Sequence, residues 1–297
     1  MPAFWHWFVT AGTILFVIWC AWLIRWAGRQ GPQNVADDEV VGHVWDGDLE
    51  EWNNPAPKWW LYLYFLTIVW AVGYMIAYPG LGSWNGMLGW SQLGQYEEEM
   101  QAASDRYEPI YERFAAMSFV ELQKEPDALQ LGASLYASYC TTCHGSDARG
   151  ARGYPNLTDN DWLWGSSEDA ITTTIRQGRN GVMPVLAPAL GGDAGIDNMV
   201  SYVKSLSGLV EADAAAMSAQ AMFVALCSAC HTAAGTGNPI FGAPNLTDDI
   251  WLYGSSDDSI RTTITEGRGG VMPPHGELLG DNRSKILAAY IASLSGQ

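Results

Sequence analysis

The sequence Cys140-Thr-Thr-Cys143-His144 returns as Cys227-Ser-Ala-Cys230-His231, 87 residues further on (227 − 140). Its surroundings return with it. Pro155-Asn-Leu-Thr-Asp159 matches Pro244-Asn-Leu-Thr-Asp248, and Trp162-Leu-Trp-Gly-Ser-Ser matches Trp251-Leu-Tyr-Gly-Ser-Ser. Gly181-Val-Met183-Pro184 matches Gly270-Val-Met272-Pro273. These later pairs lie 89 residues apart (244 − 155), so the second copy has gained two residues after its cysteine motif. Repetition of this kind marks duplicated structural units. It divides the second half of the chain into 127–207 and 208–297, joined by the small-residue stretch from Ser207 to Ala216.

Cys-x-x-Cys-His is the spacing of c-type haem attachment. The two thiols add as thioethers to vinyl groups on one porphyrin edge, and the adjacent imidazole is then placed to bind iron. Two such motifs imply two covalently bound haem c groups. Cys140 and Cys143 would hold one, Cys227 and Cys230 the other, with His144 and His231 on the irons. A four-cysteine zinc site leaves the paired histidines unexplained, and its halves would lie too far apart for a compact zinc module. A thioredoxin-like dithiol lacks a surrounding βαβ pattern. The fifth cysteine, Cys20, lies in an apolar run and reads as packing.

Each unit also offers one methionine in the duplicated Gly-Val-Met-Pro loop, Met183 and Met272. The shared context makes them candidates for the sixth ligand of each iron. His/Met coordination fills both axial positions and raises the potential, which suits electron transfer rather than oxygen or peroxide chemistry. Repeat logic pairs His144 with Met183 and His231 with Met272, although the sequence also allows exchange between units. Met217 and Met222 lack the loop and read as structural. His275 has no counterpart in the first unit and reads as a solvated surface side chain.

Two stretches, Phe4 to Ile24 and Trp59 to Tyr78, contain no Asp, Glu, Lys or Arg. Roughly 20 apolar residues cross a bilayer core as a helix, so spans are assigned to 1–28 and 59–80. The first lacks the basic start of a signal peptide. It is followed by Arg25-Trp26-Ala27-Gly28-Arg29 rather than a small-residue cleavage site, and reads as a retained anchor. Tryptophan, at 15 residues, is concentrated in the first hundred positions, as in proteins with aromatic belts. Arg25, Arg29 and Lys58 flank the loop 29–58, which the positive-inside rule makes cytoplasmic, leaving both termini outside. The acidic residues of that loop, Asp37, Asp38, Glu39, Glu50 and Glu51 among them, count little in the rule. The expected location is the bacterial inner membrane with the haem units periplasmic, the side on which haem c is attached. His6, at the outer end of the first span, reads as an interfacial side chain.

Between the spans and the repeats, 81–126 reads as a linker: the Gly-rich exit continues from Pro79 to Gly94, then a charged helix runs from Tyr96 to about Lys124. That helix is a stalk or a partner-facing surface. Within the repeats, helices are expected at Leu129–Tyr139 and Ser218–Leu226, Ser167–Gln177 and Ser256–Glu266, and Ile196–Leu206 and Ser284–Leu294. The fold class is mainly α, two N-terminal transmembrane helices followed by two tandem cytochrome c domains. A net charge of −17, from 32 acidic and 15 basic residues, argues against nucleic acid. It suits either plain solubility or a partner with a basic face.

Two cytochrome c units on a membrane anchor resemble the dihaem P subunit (subunit III) of cbb3-type cytochrome c oxidases. The loop between the spans sharpens the likeness: Gly42-His-Val-Trp45-Asp46-Gly47, then Glu50-Glu-Trp52-Asn53-Asn-Pro-Ala56-Pro57-Lys58-Trp59-Trp60, with Ala77-Tyr78-Pro79 closing the second span. The likeness covers essentially the whole chain. One departure is Ala219, which stands where the first unit has Gly132. The resemblance implies electron transfer from a soluble or membrane cytochrome c donor, through a monohaem subunit, to a haem–copper catalytic subunit. It implies no oxygen-reducing site in this chain. It further implies that the carbonyls of Pro155 and Pro244 accept from the ring N–H of each haem histidine. In that family the two units pack closely. Rival readings are a dihaem peroxidase, which needs an open iron position, and a stand-alone membrane carrier serving another reductase; a sensor would need a signalling domain that is not seen.

Overall fold

The computed structural model describes residues 2–28, 39–52 and 57–295, which form two compact units, Met1–Asp105 and Arg106–Gln297. Arg29, Asp37, Asp38 and the stretch 53–56 named above lie outside the described residues.

The first unit holds α1 (Ala3–Ala27) and α2 (Lys58–Ala77), both long and apolar enough to cross a membrane and with none of their residues buried. Arg25 falls in the last turn of α1, and Lys58 opens α2. Between them lies an antiparallel hairpin, β1 (Val40–Trp45) and β2 (Leu49–Trp52), where a loop was expected. The Asp46-Gly47 pair makes its turn, both residues at positive φ. That dipeptide flanked by β-branched and aromatic residues is a hairpin signal, and it was legible in the sequence. His6, expected as an interfacial side chain, makes a contact within the chain. Its Nδ1 accepts from the backbone N–H of Ser83 at 2.8 Å, tying the start of α1 to the loop that leaves α2. That loop folds back, and the N–H groups of Met87 and Leu88 satisfy the carbonyls of Ile76 and Ala77 at the helix end.

α3 (Gln92–Ala115) and the short α4 (Phe119–Leu122) replace the single expected stalk helix; Ser118 caps α4 in a reciprocal box with Glu121. From Arg106 onward α3 belongs to the second unit. Its Glu108 pairs with Arg283 at 2.7 Å, while Phe114 is buried with Leu122, Ala128, Ile286 and Ala289.

The first repeat runs through α5 (Pro126–Tyr139), α6 (Thr141–His144), α7 (Glu168–Gln177), β3 (Arg179–Met183), a 3-10 turn (Ala187–Ala189) and α8 (Asp193–Leu206). The second follows the same order: α9 (Ala214–Leu226), α10 (Ser228–His231), α11 (Asp257–Glu266), β4 (Arg268–Met272) and α12 (Gly276–Leu294), broken at Gly280. Ser167 and Ser256 cap α7 and α11 by accepting from the N–H three residues on, so each of these helices starts one residue later than expected.

The repeats do not close on themselves. The last helix of each packs on the other: α12 lies against α5 and α7, and α8 lies against α9 and α11. Leu135, Tyr136, Ile171 and Ile175 of the first repeat share a core with Leu279, Leu287, Ala288 and Ile291 of the second. Ile196, Met199, Val200 and Val203 of the first share a core with Ala219, Phe223, Ile260 and Ile264 of the second. The crossover passes through the Gly-Val-Met segments. These are strands rather than loops, paired antiparallel with each other from Arg179 opposite Met272 to Met183 opposite Arg268.

Candidate cofactor site

Each cysteine motif forms the end of one helix and a tight turn of the next. The first cysteine caps both, so its N–H donates back to Tyr136 or Phe223, and the following turn brings the second cysteine and the histidine to one side. None of the four sulfurs is in a disulfide, and each cysteine is half-buried. Before any thioether forms, burial, with the neighbouring thiol second, pushes the Cys140 and Cys227 thiols up to about 11. No three His, Cys, Asp or Glu side chains converge on a common point among the described residues.

The histidines are oriented alike. The Nδ1–H of His144 donates to the Pro155 carbonyl and that of His231 to the Pro244 carbonyl, each at 3.0 Å. A carbonyl only accepts, so the bond fixes the tautomer and leaves the Nε2 lone pair for a metal. His231 is buried, and burial lowers its pKa against the opposing pull of the Pro244 carbonyl. Gly150 and Gly237, both at positive φ, let the loop run against the backbone around these carbonyls; a Cβ at Gly150 would lie 2.6 Å from the Pro155 oxygen. Tyr136 donates to the Gly145 carbonyl at 2.7 Å and braces the first motif from beneath. Trp251 Nε1, which lines the cavity beside Pro155 and Pro244, is buried without a protein partner among the described residues and fits a site that takes a polar-edged group.

Met183 and Met272, both half-buried, stand at the ends of the paired strands. The register sets them at opposite ends of a five-residue ladder, each opposite an arginine of the other repeat. The Met183 carbonyl lies 2.5 Å from where a Cβ on Gly267 would sit, and the Met272 carbonyl overlaps the same position on Gly178. Just beyond, Leu186 N–H donates to Ile264 of α11, and His275 N–H donates to Ile175 of α7. After its methionine, each chain segment is therefore anchored on the other repeat, an arrangement that repeat logic did not anticipate. His275, expected on the surface, is half-buried at this crossover.

These elements define a c-type cytochrome site on a membrane anchor. Residues 127–203 and 214–291 each match the family described as cytochrome c oxidase, cbb3-type, subunit III, and residues 37–85 match the N-terminal domain of cytochrome oxidase-cbb3, FixP. The cbb3-type cytochrome c oxidase subunit CcoP of Rubrivivax gelatinosus is 42% identical over 291 residues, covering 98% of this chain and 95% of that protein. The subunit FixP of Azorhizobium caulinodans is 39% identical over 289 residues, covering 91% and 95%. The CcoP subunit of Cereibacter sphaeroides is 36% identical over 282 residues, covering 89% and 97%. The chain belongs to the CcoP/FixP family, subunit III of the cbb3-type cytochrome c oxidases. It is an electron-transfer subunit of that oxidase, it binds haem c, and it works in a complex with other oxidase subunits.

Proposed function

We propose that the chain carries two haem c groups, one on Cys140, Cys143 and His144 and one on Cys227, Cys230 and His231. The observation that carries this is the duplicated geometry: two Cys-x-x-Cys-His turns, each with its imidazole tied to a proline carbonyl at 3.0 Å. Met183 and Met272 supply the sixth ligands in exchanged fashion, Met272 to the iron of His144 and Met183 to that of His231. The strand pairing and the anchoring of Leu186 and His275 on the opposite repeats support exchange over pairing within a repeat.

When bound, haem c would supply one-electron chemistry between ferric and ferrous iron. The protein's part is to keep that change small. Cys140, Cys143, Cys227 and Cys230 would hold the two groups. His144, His231, Met183 and Met272 would ligate the irons and so disfavour oxygen binding, and the Pro155 and Pro244 carbonyls hold each imidazole in one orientation. Electrons would pass from a soluble or membrane cytochrome c to these haems, then through a monohaem subunit to the haem–copper catalytic subunit. The two spans sit in the lipid bilayer of the bacterial inner membrane, with the haem-bearing unit and both termini periplasmic. Arg25 and Lys58, at the loop ends of α1 and α2, support that orientation.

The test is haem staining of the chain on a denaturing gel. Retained stain is expected, with a reduced signal in Cys140→Ala and Cys227→Ala. A chain that keeps no covalent haem would overturn the reading. Mild detergent extraction should bring the chain down with a haem–copper subunit; a solitary chain in the membrane would instead favour the stand-alone carrier.

A further inference from the structure

Each repeat has an arginine as the first residue of its Gly-Val-Met strand, and the fold holds the two alike. Arg179 donates from Nε to Thr174 Oγ1 at 2.9 Å and from Nη2 to the Ala170 carbonyl at 3.2 Å. Arg268 donates to Thr263 Oγ1 at 2.9 Å and to the Ser259 carbonyl at 3.3 Å. Each guanidinium also lies over an aromatic ring, Trp164 at 4.9 Å for Arg179 and Tyr253 at 4.4 Å for Arg268. The rings are themselves pinned from the other repeat. A Cβ on Gly242 would overlap Trp164, and one on Gly153 would touch Tyr253 at 3.5 Å. Neither cation is free to swing out.

Both arginines are half-buried, and among the described residues neither has a carboxylate within ion-pair distance, whereas Arg176, Lys204, Arg261, Arg283 and Lys285 all do. Their bonds are all to neutral hydroxyls and carbonyls, so the full charge is retained. In the ladder Arg179 lies opposite Met272, and Arg268 lies opposite Met183. Opposed residues of an antiparallel pair are about 5 Å apart at Cα.

An arginine stays protonated at any working pH. A fixed cation away from bulk water is felt further than an exposed one. Oxidation of an iron adds one positive charge beside it, so a neighbouring fixed cation favours the reduced state and raises the potential. We infer that Arg179 and Arg268 are positioning residues whose charge sets the reduction potentials. Arg179 acts on the haem attached at Cys140 and Cys143, and Arg268 on the haem attached at Cys227 and Cys230. The inference rests on the exchanged ligation proposed above, in which each arginine opposes the sulfur ligand of its own repeat's haem.

The experiment is an optical redox titration of the c-type haems in the detergent-solubilised oxidase, comparing Arg179→Gln, Arg179→Lys, Arg268→Gln and Arg268→Lys. Each Gln variant should shift the ferric/ferrous balance of one haem about tenfold toward ferric, roughly 59 mV downward for one electron. The two Gln variants should move different components, and the Lys variants should keep most of the parent potential. Two results overturn the inference: potentials unmoved in the Gln variants, or Gln and Lys lowering them equally, with or without loss of the sulfur-to-iron charge-transfer band. The second would mean that the arginines merely hold the ladder. Haem staining of the unmutated chain and the Met272→Ala spectrum test the ligation reading separately.

Discussion

Gly132 and Tyr290 meet where α5 crosses α12, so closely that a Cβ on Gly132 would overlap the Tyr290 Cβ and lie 3.1 Å from its Cγ. The obstruction is the root of the tyrosine side chain and the Ile286 carbonyl rather than a flexible tip. The helices touch only because position 132 is glycine.

Gly132→Ala should therefore force α5 and α12 apart. Overpacking of this sort costs about 1–3 kcal/mol, measurable as a lower denaturation midpoint with covalent haem retained. The second repeat already carries Ala219 at the matching position, buried against α8, so Ala219→Gly should gain no comparable stability.

Met272→Ala tests the exchanged ligation. The haem on Cys140 and Cys143 should lose its sulfur ligand and fall in potential by much more than the roughly 59 mV of a tenfold shift. A Met272→Ala, Cys227→Ala, Cys230→Ala protein identifies which haem responds, because only the first remains attached. An unchanged spectrum in that protein would restore pairing within repeats.

Gly178 has φ +70°, and a Cβ there would overlap the Met272 carbonyl and lie 2.9 Å from the Pro273 carbonyl carbon. With ψ at −176°, this is a backbone region nearly confined to glycine, and holding a residue with a side chain there costs about 1–3 kcal/mol. Gly178→Ala should destabilise by at least that amount and weaken the sulfur-to-iron band of one haem. Gly267→Ala should do the same to the other, through Met183.

Asp161 lines a cavity of about 460 Å³ between the repeats, together with Arg149, Arg152, Asp159, Pro155 and Pro244. Burial, then Asp248 and Asp159, push its carboxyl from 3.8 up to about 6. The unfolded chain ionises this group freely near 3.8, so folding bears no penalty below that pH and a growing one as pH rises toward 6. The stability it contributes is present in acid and lost above about 6. Asp161→Asn should match the parent near pH 3.8 and exceed it at pH 7 by on the order of 1 kcal/mol, allowing for solvent screening of a half-exposed group. Paired denaturation curves at the two pH values decide it.

Much of this molecule is written locally. The Cys-x-x-Cys-His turns, the serine caps at 167 and 256 and the apolar runs of α1 and α2 act through neighbours in sequence, and each is where its residues imply. The proline carbonyls also fell where the resemblance put them. Longer-range features were not legible. Nothing in Ile286 or Leu287 says that the partner is α5 rather than α9, because both repeats offer nearly the same apolar face. Glycine-rich Gly181-Val-Met and Gly270-Val-Met read as loops because glycine is a poor strand former; only pairing with each other makes them strands. His275 seemed a surface residue for the same reason, since its burial depends on α7 of the other repeat.

The helix exchange has a consequence for how such a chain is made. α12, which completes the bundle around Cys140 and Cys143, leaves the ribosome after every other helix of that bundle. Until it arrives, the first thiol pair sits in an unfinished half-shell, open to whatever machinery installs the porphyrin. A stop codon after α8 would yield an orphaned first half, its terminal helix seeking a mate never synthesised.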